Sequence, residues 1–512
     1  MLVDQQNKYI KRVQPFYDYF LRRKVRNNKS FSITLRSLCN AVDIDIKCFY
    51  GDLKKFDSII YQICTPGTRI VKDSICVQLP DSTDDDLRQA SNNGSIVLVT
   101  DHKIDELSCI VVDNPIDVYI KMCSYYRDKV SVEVTAVIGS IGKTTTKKII
   151  NSVYRRCFKT FCDEGNENLI FNAGYHCQHI PMNSEKWIQE VSEDQPGFAS
   201  AVSRMIKPNI AIITTIDNAH IGNFKNEEGI IKEICSIVDG MNNGSTIIVN
   251  KDEFHYYNLL RDNIKLITIS SNDTKADFYL TKLSISSEGL YFSVKDNTSN
   301  GDIIPFCMPG VYAEHNAIAA LYAIACGVFA KIPYKEIQAG IKEFRPCGIR
   351  QNVYDTIGGK YKIYADCYNA VPKSIKSAIE TMLLINRESK HIAVLADVEE
   401  LGEFSEDIHN DIIKFLNNSS LDYVILFGEK ICKAAKNMNS REGLTIYTCK
   451  TYLEIEKYLK QIIRKGDVIL FKGSRKSHLE TCIKDLFPLT YMREHIRAIY
   501  PYYKWRIQVI MN

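Results

Sequence analysis

Between Val132 and Thr146 the chain reads Val-Glu-Val-Thr-Ala-Val-Ile-Gly-Ser-Ile-Gly-Lys-Thr-Thr-Thr, an apolar, β-branched run that passes directly into a glycine loop ending in Gly142-Lys143-Thr144. This order demands a buried strand, a phosphate-cradling turn and a helix in succession, which belongs in a doubly wound parallel α/β sheet. Gly139 and Gly142 allow backbone N–H groups to turn toward phosphate oxygens, Lys143 supplies a mobile positive charge, and Thr144 offers a hydroxyl to Mg2+. The segment from Thr145 to Tyr154 reads as a helix whose positive end faces the same phosphates. The glycine that the common spacing would put at position 137 is replaced by Val137.

A chain of 512 residues is long enough for about three domains. With 45% hydrophobic and 25% charged residues it has an ordinary globular composition, and a net charge of +4 over this length is no nucleic-acid signature. The start of the chain lacks an apolar signal core, and no apolar run reaches the roughly 18 residues of a membrane span, so a cytoplasmic protein is expected. The 17 cysteines show no metal-ligand spacing and read as reduced core thiols.

The organisation expected from patterning is a helical, locally basic extension over 1–66, a small α/β unit over 67–128, a central phosphate-loop domain over 129–345, a C-terminal α/β domain over 346–488 and a tail over 489–512. In the small unit, strands are read from Ser74, Ser95 and Cys109 and a helix around Leu87. The central domain continues with strands near Ile188, Ile210 and Thr246. Past Arg345-Pro-Cys-Gly348, strands from Lys362, His391, Tyr423 and Asp467 alternate with helices in a second parallel sheet. Polar groups of such sheets act at the carboxyl ends of strands. Glu190 ends one strand and Asp217-Asn-Ala-His220 follows another, so a carboxylate and an imidazole are candidates to share a Mg2+ with Thr144.

These motifs together resemble the Mur ligase family. Gly139-Ser140-Ile-Gly-Lys-Thr-Thr145 is similar to its phosphate loop, including the missing first glycine, and Gly165-Asn166-Glu-Asn168 to its substrate loop. Glu190, with Gly197 beyond it, resembles the family's metal-binding glutamate, and Ala219-His220-Ile-Gly-Asn-Phe224 its metal-site histidine segment. Asn316-Ala-Ile-Ala-Ala resembles the adenine motif. Asp366-Cys-Tyr368-Asn369-Ala, the segment from Ala393 to Glu406, and Lys472-Gly-Ser-Arg475 are similar to three successive C-terminal signatures. The resemblance covers roughly residues 67–485.

What the resemblance implies is a three-domain fold and an ATP-dependent carboxylate–amine ligase that works through an acyl phosphate with Mg2+. The branch implied joins D-alanyl-D-alanine to UDP-N-acetylmuramoyl-tripeptide in peptidoglycan precursor synthesis. Lys143, Glu190, His220, Arg350 and Lys232 are the implied catalytic residues, and Thr144, Glu190 and His220 the metal ligands. Gly139, Ser140, Gly142, Lys143, Thr144, Thr145, Asn316, Asp366, Tyr368 and Asn369 are placed on the nucleotide, and Thr68, Arg69, Asn166 and Asn168 on the carboxylate substrate. The partners implied are small molecules, with no nucleic acid, and the enzyme is expected to be a monomer. The pattern departs from the family at several points. The carbamylated lysine falls at Ile234 by counting from His220 and at Lys232 only with a small deletion. Tyr312-Ala313 replaces the usual His-Asn, and Val371 replaces the second asparagine of the Tyr-Asn-Ala-Asn-Pro motif. An amide ligase for another carboxylate, and a nucleotide-binding scaffold without catalysis, are the alternatives.

Overall fold

The computed structural model describes residues 32–499, apart from 69, 164–166, 217–223, 225, 261, 287, 347, 369, 386–388, 400, 402–403 and 437–439. Three large sheets organise the described chain, beside a two-stranded antiparallel ribbon of Ile33–Thr34 and Ile59–Ile60. In the first, five strands lie in the order Phe49–Tyr50, Cys109–Val111, Ser95–Thr100, Ser74–Val77 and Gln62–Cys64, parallel except for the outermost pair, Phe49–Tyr50 with Cys109–Val111. This differs from the helical extension expected up to residue 66. Only Leu35–Ala41 forms an α-helix between residues 32 and 66, while Phe49, Ile60, Ile63 and Cys64 are buried in strand segments. Ile59-Ile-Tyr-Gln-Ile-Cys64 is a β-branched run whose alternation suits a half-buried strand better than a helix. Residues 1–31 lie outside the described residues.

The central sheet has nine strands, with Glu133–Ile138 between Lys186–Glu190 and Ile210–Ile213, all parallel. Its period-two pleat divides Glu133–Ile138 between two cores. Val134, Ala136 and Ile138 face one core and Val137 the other, packing with Ile150 and Val153 of the helix Lys143–Tyr154 and with Ala320 and Ile324 of the helix His315–Phe329. Each such aliphatic side chain, fully buried, contributes roughly 1.5–3 kcal/mol. The sheet is not parallel throughout, as sequence patterning suggests. Beyond Lys265–Ser270 it continues through Phe278–Ser286, Gly289–Asp296 and Ile303–Pro309, and these three pair antiparallel to one another. The outer half of Phe278–Ser286 alternates between partly buried and exposed residues, so it lacks the continuous apolar run of a central parallel strand.

The third sheet has six strands, parallel except where Asn352–Asp355 pairs antiparallel with Lys362–Asp366. The segment expected as a tail begins with the helix Pro488–Ile499, and Thr490 Oγ1 accepts the Ile357 N–H at 3.0 Å. That helix therefore belongs to the third lobe. Residues 500–512 lie outside the described residues. Among the described residues no helix is long and apolar enough to cross a membrane.

Candidate active site

The phosphate loop leaves the middle of the central sheet at Ile138 and ends at Gly142, which caps the helix Lys143–Tyr154. Both glycines are required by conformation, for different reasons. Gly139 has φ +133° and a Cβ there would lie 2.3 Å from Thr214 Oγ1, whereas Gly142 has φ +90° with open space around it. A side chain at 139 collides; one at 142 is strained by its backbone alone. The Ser140 and Ile141 N–H groups donate to Thr215 O at 2.8 and 3.3 Å, tying the loop to the neighbouring strand's exit. Thr145 is half-buried in the first helical turn, whose unbonded N–H groups form an anion-binding end.

Helical spacing then sets two lysines on one face. Lys143 and Lys147 are four residues apart and so project the same way. Lys143 Nζ donates to Gly139 O at 2.5 Å and to Glu193 Oε2 at 2.6 Å, with its side chain only 12% exposed. The loop lysine is therefore packed into the protein, not free in solution. Lys147 is fully buried between Asp163 Oδ2 and Glu190 Oε2, the latter at 3.1 Å. Glu190 also accepts from Thr144 Oγ1 at 2.9 Å and from Asn168 Nδ2 at 3.2 Å, and its backbone N–H donates to Asp163 Oδ1 at 2.9 Å. Behind it, His176 bridges Gln189 Oε1 (2.8 Å) and Glu167 Oε2 (3.0 Å).

The titration of this cluster follows from the contest between burial and charge. Burial pushes the Glu190 carboxyl up, but the Lys147 and Lys143 ammonium groups and the Thr144 hydroxyl together outweigh it and hold the pKa below the ordinary value. Asp163 goes the other way: burial dominates, Lys147 offsets only part of it, and the pKa rises to about 6. Burial also raises Glu193, against the opposing pull of Lys143. Lys147 is disfavoured as a cation by burial, yet Asp163 and Glu190 together raise its pKa.

The third lobe reaches this cluster through Arg350. Arg350 Nη1 donates to Thr144 Oγ1 at 3.2 Å, and its guanidinium lies 3.4 Å from the centroid of the Tyr368 ring. Nearby, buried Asp366 pairs with Lys472 at 2.9 Å and accepts the Gln351 N–H at 3.3 Å. Gln351 Oε1 meets His315 Nε2 at 2.8 Å, next to buried Asn316, whose amide donates to Ala313 O at 3.1 Å. Lys143, Thr144, Glu190, Asn168 and Arg350 are thus brought together, and Asn316, Asp366 and Tyr368 line the junction between the lobes.

Lys232 is not brought there. It lies in the helix Glu227–Cys235 with its side chain 61% exposed, 2.7 Å from Glu228 one turn earlier. The inward positions of that helix belong to Ile234, which is fully buried, and to Glu233, which accepts the Gly197 and Ala199 N–H groups at 2.6 and 2.7 Å. A solvated i,i+4 ion pair accounts for Lys232. Thr68 closes a turn by donating to Thr65 O at 2.7 Å. Arg69, Asn166, His220 and Asn369 lie outside the described residues. The residues that sequence reasoning missed are Lys147, Asp163 and Glu193. Lys147 carried a signal in its spacing from Lys143, and Asp163 in its place just past the strand Thr160–Cys162; Glu193 carried none beyond its nearness to Glu190.

The donors suit a magnesium–nucleotide complex. Among the described residues no three His, Cys, Asp or Glu side chains converge on a metal-sized point, but the Thr144 hydroxyl and the Glu190 carboxylate lie 2.9 Å apart beside the phosphate loop. Mg2+ is commonly held by one or two carboxylates and completed by phosphate and water.

Comparison with known proteins bears on the same residues. The sequence matches the Mur ligase middle domain over residues 137–326 and the Mur ligase, glutamate ligase domain over 350–475. It is 27% identical over 439 residues to the UDP-N-acetylmuramoyl-tripeptide–D-alanyl-D-alanine ligase of Bacillus subtilis (strain 168), spanning 84% of this chain and 93% of that one. Among solved structures, a crystal structure of MurF from Acinetobacter baumannii superposes with a TM-score of 0.76 at 22% identity, covering 90% of this chain and 100% of that one. MurF from Thermotoga maritima, solved in complex with ADP, superposes with a TM-score of 0.67 at 20% identity over 83% and 96% of the two chains.

Proposed function

The chain belongs to the Mur ligase family, and we propose that within it the protein is a MurF-type enzyme, joining D-alanyl-D-alanine to a UDP-N-acetylmuramoyl-tripeptide at the expense of ATP. The observation that carries the reading is the meeting of Arg350 with Thr144, which puts a cation of the third lobe on the phosphate loop of the second. Support for the substrate pair is the similarity, over 84% of this chain, to a UDP-N-acetylmuramoyl-tripeptide–D-alanyl-D-alanine ligase. The proposed division of labour gives the carboxylate substrate to the first lobe, the nucleotide to the second and the incoming amine to the third, in a monomeric, cytoplasmic enzyme.

The reaction brings anions together, and the residues answer that problem. A carboxylate oxygen attacks the γ-phosphorus of ATP, the β–γ bridging bond breaks, and ADP leaves. The amine then attacks the acyl carbon, phosphate departs with its electron pair, and the ammonium proton is lost. Lys143 and the helix end at Gly142 bind the phosphates and set the γ-phosphorus in line. Arg350, stacked on Tyr368 and thereby oriented, holds phosphoryl oxygens through two parallel N–H groups. Mg2+, held by Thr144 and Glu190, would neutralise phosphate charge. Asn168 donates to Glu190 and so fixes the carboxylate that would hold the metal.

The test is release of inorganic phosphate from ATP by the full chain. It should require both UDP-N-acetylmuramoyl-tripeptide and D-alanyl-D-alanine, with the pentapeptide product seen by mass. Turnover with another carboxylate, and none with this pair, would refute the substrate assignment while leaving the ligase chemistry standing.

A further inference from the structure

Glu193 stands apart from the groups that the proposed reaction uses. Its side chain is fully buried, one oxygen takes the Lys143 ammonium at 2.6 Å, and the other, Oε1, has no hydrogen-bond partner among the described residues. The charged groups facing it are Lys143, which favours its ionised form, and Asp194, which opposes it. A buried carboxylate with half its acceptor capacity unused is costly, so the ion pair with Lys143 is what sustains its charge. The ammonium has three N–H donors, and two are already committed, to Gly139 O and Glu193 Oε2.

We propose that Glu193 is a positioning residue of the phosphate loop, a resident anion that holds Lys143 over Gly139 and competes for it with the phosphates of the nucleotide. Because the carboxylate is enclosed, it stays behind when the lysine turns toward phosphate. Nucleotide affinity is then the outcome of an exchange of anions on one ammonium group. Loss of the carboxylate charge should release Lys143 to the phosphates and remove a like charge beside them. The opposite sign is expected of a residue with only a structural role, since damage to the loop weakens binding.

The proposal rests on the nucleotide reading above, and the experiment separates the two. Full-length wild-type protein and Glu193→Gln are titrated with ADP and Mg2+ in a calorimeter. The variant should bind ADP several-fold more tightly; equal or weaker binding overturns the proposal. Wild-type protein that binds no ADP overturns the nucleotide reading itself and this inference with it. If Glu193→Gln does not fold alone, thermal unfolding of Lys143→Ala and of Lys143→Ala/Glu193→Gln decides. Removing the ammonium should lower the midpoint and removing the stranded carboxylate should restore it, whereas a double variant no more stable than the single refutes the pairing.

Discussion

The first and central sheets both bury polar side chains, in contrasting ways. In the first, the interior polar groups are neutral: Ser74 and Ser95 share a hydrogen bond of 2.9 Å, and the Cys64 thiol donates to Ile75 O at 3.3 Å. In the central sheet, the corresponding depth holds Lys147, Asp163 and Glu190, all essentially without exposure. Neutral networks only satisfy their own donors and acceptors, while charges removed from water cost several kcal/mol each before they are paired. A fold tolerates that expense where something else draws on the charges, and here they sit beneath the phosphate loop. The first lobe supplies a scaffold and the second an electrostatic device.

The comparison breaks most readily at Lys147. Lys147→Met leaves two buried carboxylates without their cation and should cost about 3–5 kcal/mol, read as a fall in the denaturant midpoint. Ser95→Ala in the first sheet should cost only about 1 kcal/mol. Equal losses would show that the two interiors do not differ in kind. Next in size, Lys143→Ala should slow phosphate release on the order of a hundred- to a thousandfold, about 2.7–4 kcal/mol of transition-state stabilisation, measured in single turnovers.

A smaller effect concerns pH. The Asp163 carboxyl binds its proton more tightly in the folded chain than in the unfolded one, its pKa rising from 3.8 to about 6. It contributes stability that is present below the lower value and lost as pH rises through about 6. Glu190, shifted down, contributes in the opposite sense, its stability being lost as pH falls. The difference in thermal midpoint between wild type and Asp163→Asn should therefore widen in favour of wild type as pH is lowered from 7 to 4; a narrowing difference would contradict the assignment. Smallest of all, Lys232→Ala should leave melting temperature and turnover at wild-type values, and a large loss of activity would return this lysine to the site.

How far the sequence discloses these features depends on what each required. The phosphate loop was legible because strand, glycines, lysine and threonine are contiguous and each has a local reason. Glu190 was legible from its place at a strand's carboxyl end. Asp163, Glu193 and Lys147 acquire their roles only from burial against one another, through the parallel register that sets Ile188 beside Cys162 and Glu190 beside Val137, and no local pattern encodes that. Lys232 misled because the small deletion that brings it into register moves the position from the inward face of the helix, where Ile234 lies, to the solvated one. The antiparallel extension of the central sheet escaped notice because its strands are half-exposed, and the strand Phe49–Tyr50 because two residues present too short a period.

One consequence concerns where this gene tolerates a crossover with a relative. The helix Pro115–Arg127 ends the first lobe, yet it packs on Ile170–His179 and Phe198–Ile206 of the second, and a single apolar cluster runs from Leu35 through Tyr119 and Trp187 to Ile264. A junction near residue 129 divides that cluster between two parents, so their side chains must fit by chance. Between Phe344 and Asn352, where the chain enters the third lobe, a junction leaves the large clusters on either side almost whole. Chimeras exchanging the third lobe should therefore fold far more often than those exchanging the first, making it the module most easily borrowed from a relative.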